Sequence, residues 1–204
     1  MINQTLEQYI SALHNDAQNI PDDRKIILAG FADFIRASID ERGSVSLNFI
    51  CSHNSRRSHL AQVWAQVSAH ALGLDQIYCY SGGTDATAIY KSTVEAIAHA
   101  GLEVSEIREG PNPIFSAKYA NEVPPILLFS KAYSHSFNPK KDFGAIMTCG
   151  EADTNCPYIP DALKRIPVTY VDPKASDGQS HEAEYYQETC YRIAREMFYT
   201  MSLV

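Results

Sequence analysis

The sequence predicts an α/β fold: a mostly parallel sheet with helices on both faces, behind an N-terminal helical extension. Three observations predict it. From residue 45 onward, short apolar runs alternate with segments of helical periodicity. The first of these runs leads through a polar loop into a helix, the opening of a βαβ unit. The first 43 residues carry helical periodicity only. Such alternation sets parallel strands side by side and puts their crossover helices on the faces of the sheet.

The elements follow in order. Leu6, Tyr9, Ile10 and Leu13 recur at helical spacing. Asn19, Ile20, Pro21, Asp22 and Asp23 start a second helix, with proline near the first turn and acids at its positive end. That helix carries Ile26, Ile27, Phe31, Phe34, Ile35 and Ile39 and ends at Gly43. Its apolar stripe must pack on the main domain or on a second subunit, the latter giving a homodimer through the N-terminal helices. Residues 45–50 (VSLNFI) alternate as a strand, 51–57 are a polar loop, and 58–72 form a helix with Leu60, Val63, Trp64 and Val67 on one face. Residues 77–80 (IYCY) are a second strand, followed by the turn 81–84 (SGGT) and a helix over 87–100 ended by Gly101. Residues 108–142 hold five prolines and read as an irregular insertion, with 126–129 (ILLF) strand-like inside it. Residues 143–148 and 168–171 (VTYV) are further strands, and a helix over about 181–202 closes the chain. The expected organisation is therefore an extension over 1–43 and a catalytic domain over 44–204.

With 204 residues, 45% hydrophobic and 20% charged, the chain has the composition of one globular domain with an appendage. No apolar run approaches the length of a membrane-spanning helix. The first residues, MINQTLEQYISALHND, lack the basic flank and apolar stretch of a signal peptide, so a cytoplasmic location is expected. A net charge of −7 argues against nucleic acid as a partner. It leaves an anionic substrate open, since backbone N–H groups and one arginine can hold an anion locally. Five cysteines are a poor disulfide framework, and cytosolic thiols that do pair are usually catalytic or redox-sensing. No His/Cys cluster has zinc-site spacing, and no metal is expected.

The chemistry centres on Cys51, Ser52, His53, Asn54, Ser55, Arg56, Arg57 and Ser58, a Cys-x5-Arg-Ser segment between a strand and a helix. Successive N–H groups of such a loop converge on one point and cradle an oxyanion. The following helix aims its positive end there, and Arg57 offers a planar fork to two oxygens. The same field favours a thiolate at Cys51. Ser58 can donate to that thiolate, and Asn54 can adopt a left-handed backbone. The competing reading of Cys51 is a core cysteine at a strand end; the flanking strand and helix and the Ser after Arg57 weigh against it. For His53 a local loop or surface role is the better reading.

Residues 45–62 (VSLNFICSHNSRRSHLAQ) resemble the active-site segment of low-molecular-weight protein tyrosine phosphatases and of the thioredoxin-coupled arsenate reductases that share their fold. The resemblance implies a four-stranded sheet and extends over about 44–204, apart from 108–142. It implies that Asp172, in Asp172-Pro173, is the general acid that protonates the departing oxygen. The stretch 148–157 (TCGEADTNCP) resembles the redox segment of the reductases and implies a thiol relay of Cys149 and Cys156 with thioredoxin as the external reductant and no bound cofactor. Cys79, in a strand pattern, and Cys190, in the last helix, read as structural.

Two departures weigh against a phosphotyrosine substrate. Lys174 and Ala175 follow Asp172-Pro173 where those phosphatases carry aromatics, and Arg56 stands where many of them have a cysteine. Some of the reductases hold a potassium ion with the loop Asn and an acid on the next helix; Gln62 stands where the acid would be, so that ion is not expected. The expected function is thiol-dependent arsenate reduction. The alternatives are phosphomonoester hydrolysis through a cysteinyl-phosphate, using Cys51, Arg57 and Asp172 alone, and a non-catalytic oxyanion-binding or redox-sensing module.

Overall fold

Asn3 opens the first helix, α1 (Gln4–Asp16), by accepting the Leu6 N–H on its side chain at 2.9 Å. The computed structural model describes residues 3–155 and 158–204. After a single 3₁₀ turn comes α2 (Asp22–Arg42), which closes on Gly43 at φ 76°, a left-handed position suited to glycine. Leu28, Phe31 and Ile35 of α2 are fully buried, while Ile26 is 75% exposed and Ile27 44%. The buried stripe thus starts two residues later than expected, and it packs within its own chain. Phe31 meets Phe49 edge-on and Phe34 lies over Gly144. Each fully buried side chain of this size contributes about 1.5–3 kcal/mol, enough to hold α2 on the body without a second subunit.

The main sheet contains β1 (Val45–Cys51), β2 (Ile77–Gly83), β6 (Phe143–Met147) and β7 (Ala162–Pro167), in the order β2-β1-β6-β7, all parallel. Helix α3 (Arg57–Ala71) follows β1, α4 (Lys91–His99) follows β2, α5 (Gly150–Asn155) follows β6, and α6 (Glu182–Ser202) ends the fold. Alternation along β1 splits the core in two. Leu47 and Phe49 join Trp64, Met197 and the stripe of α2 on one face, whereas Ile50, Ala145, Met147 and Cys149 form a smaller cluster under α5 on the other. Trp64 ties three helices together: it stacks on Tyr9 of α1 at 4.9 Å and donates its indole N–H to Cys190 of α6 at 3.1 Å.

Several boundaries differ from expectation. The last strand is β7, at 162–167, not 168–171. Val168 and Tyr170 still donate to the Met147 and Thr148 carbonyls, so the apolar run continues alongside the end of β6 as a connection. β7 is an edge strand, which accommodates Lys164, Arg165 and Pro167 and hides it from an apolar pattern. β2 runs on through Gly83, taking in most of the expected turn, and α4 begins at Lys91 rather than 87. The segment expected to be irregular is built on a three-stranded antiparallel sheet of β3 (Glu103–Arg108), β4 (Ile114–Lys118) and β5 (Ile126–Leu128). Among the described residues, no helix is long and apolar enough to cross a membrane, and no group of His, Cys, Asp and Glu could hold a metal ion.

Candidate active site

The loop 51–58 leaves the carboxyl end of β1, where ligands bind in open parallel sheets. Asn54, at φ 46°, turns its N–H onto the Cys51 sulfur at 3.2 Å. The Ser58 hydroxyl lies 3.1 Å from the same sulfur. Asn54 Nδ2 donates to Ser58 Oγ at 2.9 Å, which leaves the hydroxyl hydrogen free for sulfur. The Asn54 side chain also accepts the Lys131 N–H at 3.0 Å, and its carbonyl meets Nε2 of His59 at 2.9 Å. No side chain caps the N-terminus of α3; the His59 N–H already donates to the Arg56 carbonyl at 3.1 Å, so an anion there would be met by the N–H groups ahead of His59.

The loop rests on β2. The N–H groups of Thr84 and Asp85 donate to the Cys51 and Ser52 carbonyls at 3.0 and 2.8 Å. A Cβ at Gly83 would stand 2.2 Å from the Asp85 carbonyl and 2.8 Å from the Asn54 nitrogen, so only glycine lets the loop lie this close.

Arg57 is buried at the lip, donating to the Tyr170 carbonyl at 3.0 Å and pairing with the Asp172 carboxylate. The two residues, 115 positions apart, meet because the connection after β7 runs beside the end of β6 and reaches Arg57 at Tyr170. Cys149 is fully buried; its sulfur lies 3.5 Å from the Ser52 hydroxyl, which donates to Glu151 at 3.0 Å. With the Ser52 hydrogen committed to Glu151, the Cys149 thiol is the donor in the other contact. Cys156 lies outside the described residues. His53 and Ser52 face outward to differing degrees, His53 being exposed. The Arg56 side chain turns away from the loop altogether, toward Tyr186 and Asp177.

No family model matches the sequence. The chain is 27% identical over 137 residues to an arsenate reductase of Bacillus licheniformis, covering 67% of this chain and 80% of that protein. It is 25% identical over 134 residues to the arsenate reductase of Bacillus subtilis, covering 66% and 78%. A low-molecular-weight protein tyrosine phosphatase from T. tengcongensis superposes with a TM-score of 0.50 at 15% identity, covering 79% of this chain and all of that one. A mutant of YwlE from Bacillus subtilis also gives 0.50, at 14% identity, covering 78% and 97%. The chain is thus similar in sequence to arsenate reductases and has the fold that the low-molecular-weight protein tyrosine phosphatase shares.

Within this fold, two cysteine classes separate. Burial raises the Cys79 thiol far above its usual range and the Cys190 thiol to about 11, which keeps both protonated and inert. Cys51 and Cys149 instead sit at strand ends beside hydroxyl and N–H groups.

Sequence reasoning missed Lys131. It is 1% exposed, its ammonium bonded to the Phe129 carbonyl at 3.3 Å and lying 4.5 Å over the Phe129 ring. Burial pushes it down to about 7. Together with burial, its charge holds His59 neutral, well below the usual histidine range. A depressed lysine means the unfolded chain binds more protons than the folded one between pH 7 and 10.5, so stability rises with pH across that window. Urea unfolding is expected to show a gain of about 2 kcal/mol from pH 7 to 9. Lys131→Met should abolish this contribution; equal slopes for both proteins would refute it.

Proposed function

We propose that this enzyme reduces arsenate to arsenite with Cys51 as nucleophile, a relay through Cys149 and Cys156, and an external dithiol of the thioredoxin class as reductant. The observation that carries the reading is the position of Cys149, touching Ser52 immediately beside Cys51. A phosphatase has no use for a second thiol there. The curated relatives, aligned over about four-fifths of their own length, are arsenate reductases.

In this reading arsenate lies over the loop, held by backbone N–H groups and by Arg57, and displaces Asp172 from the guanidinium. The Cys51 thiolate attacks arsenic, and one arsenate oxygen departs as water after protonation by Asp172. Ser52 offers the Cys149 thiol an acceptor on the way to Glu151. The Cys149 thiolate then attacks the Cys51 sulfur. The S–S bond forms, the S–As bond breaks, and its electron pair stays on arsenic, which leaves as arsenite. Cys156 attacks Cys149, freeing Cys51, and the thioredoxin dithiol reduces the resulting Cys149–Cys156 disulfide. Each disulfide needs its two Cα atoms within about 7 Å, so the relay requires the segment 149–156 to present Cys149 first to Cys51 and then to Cys156.

The trio Cys51, Arg57 and Asp172 would by itself support phosphomonoester hydrolysis, so both activities are to be measured on one preparation. Arsenate-dependent NADPH consumption with thioredoxin and thioredoxin reductase is expected, falling to background in both Cys149→Ser and Cys156→Ser. Hydrolysis of p-nitrophenyl phosphate should be indifferent to either change. Normal arsenate turnover in both serine variants would sink the relay, and phosphatase activity alone would favour the hydrolase.

A further inference from the structure

The loop carries two adjacent arginines, and only Arg57 faces the site. Arg56 is half-buried with its guanidinium engaged elsewhere. Its Nε donates to the Tyr186 hydroxyl at 2.6 Å and its Nη2 to Asp177 Oδ2 at 2.5 Å. The guanidinium stacks on Tyr90 at 4.3 Å. Tyr186 donates its own hydrogen to the other oxygen of Asp177 at 2.7 Å and stacks against Tyr90 at 5.5 Å. The unit is closed: both Asp177 oxygens and the Tyr186 hydroxyl are satisfied, and the Arg56 and Asp177 side chains are only 13% and 22% exposed.

Asp177 stands five residues after Asp172. Between them runs one 3₁₀ turn (Pro173–Ser176), capped at its start by the Asp172 side chain on the Lys174 N–H and stiffened by the Ser176 hydroxyl on the Pro173 carbonyl. Beyond it, the Gly178 N–H is held by Glu182, which also accepts from Ser92. A short rigid turn with its far end fixed has little freedom at its near end. Adjacent residues of the loop thus grip both ends of it, Arg57 at Asp172 and Arg56 at Asp177.

We propose that Arg56 is a positioning residue: through Asp177 and Tyr186 it locks the 172–178 segment to the oxyanion loop and so fixes the Asp172 carboxyl beside Arg57 at the lip of that loop, without itself touching the anion. The inference rests on Asp172 acting as the acid in the proposed reaction. Shielding makes the clamp strong, because the largely buried ion pair shares both its guanidinium and its carboxylate with the Tyr186 hydroxyl.

The test is a double-mutant cycle of Arg56→Met and Asp172→Asn in the thioredoxin-coupled arsenate assay, with inorganic phosphate affinity measured on the Cys51→Ser background and amide hydrogen exchange followed over 173–178. Arg56→Met is expected to lower kcat by about 10-fold or more and to leave phosphate affinity within twofold. In the Asp172→Asn background the same change should cost almost nothing, because residues that act as a unit are not additive. Exchange over 173–178 should quicken. A tenfold loss of phosphate affinity in Arg56→Met would make Arg56 an anion ligand and overturn the proposal. So would unchanged exchange, or a full additional loss in the Asp172→Asn background. Should Asp172→Asn itself leave turnover intact, the assignment of the acid fails, and with it the catalytic half of this inference, while the exchange data still judge the clamp. Where Arg56→Met folds poorly, Tyr186→Phe removes one hydroxyl only and should give the same pattern at smaller size.

Discussion

Cys51→Ser is expected to lose arsenate turnover by about 10⁴-fold or more, into the background of the coupled assay. The size follows from the chemistry. Serine keeps the volume and can keep the hydrogen bonds from the Asn54 N–H and to Ser58, so the loop retains its shape. What it removes is the sulfur nucleophile, the atom that can end in a disulfide. The variant should still bind inorganic phosphate and unfold at the wild-type urea midpoint, which separates chemistry from folding. Residual turnover above about a hundredth of wild type would mean that another group attacks arsenic.

Arg57→Lys should cost about 10²–10³ in kcat/KM, the scale of losing a preorganised oxyanion donor. Lysine preserves the charge but not the fork. Here the fork spans the Tyr170 carbonyl and the Asp172 carboxylate, and an anion must replace the latter. A lysine nitrogen can reach one such oxygen at a time. Titration of inorganic phosphate onto Cys51→Ser and onto Cys51→Ser/Arg57→Lys should show at least a tenfold weaker affinity in the second. Affinities within twofold would show that backbone N–H groups hold the anion unaided.

The local parts of the site were legible because they are local. A strand, seven loop residues and a helix fix which N–H groups converge, and Asn54 and Ser58 are the residue types that such a turn uses. The strand end at 168–171 was misplaced because β-branched and aromatic composition reports burial, not pairing. Val168 and Tyr170 are buried, yet they lie past the strand, while β7 itself carries Lys164 and Arg165 at a sheet edge. The two isoleucines at the start of α2 were misread for a related reason, since helical spacing alone does not tell which side of a broad apolar stripe the sheet covers.

The sequence by itself determined where the candidate oxyanion site lies, at the end of the first strand, because a Cys-x5-Arg-Ser turn and a helix N-terminus act over a few ångströms of contiguous chain. Only the tertiary structure decided what stands around it. Parallel pairing of Ile50 with Met147 carries Cys149 to Ser52 across 97 positions. The connection beyond β7 brings Asp172 to Arg57, and the fold buries the ammonium of Lys131 behind Asn54. It also turns Arg56 outward onto Asp177, so that of two neighbouring arginines one pairs with Asp172 and the other with Asp177. These outcomes depend on register and burial between distant segments, which no spacing along the chain encodes.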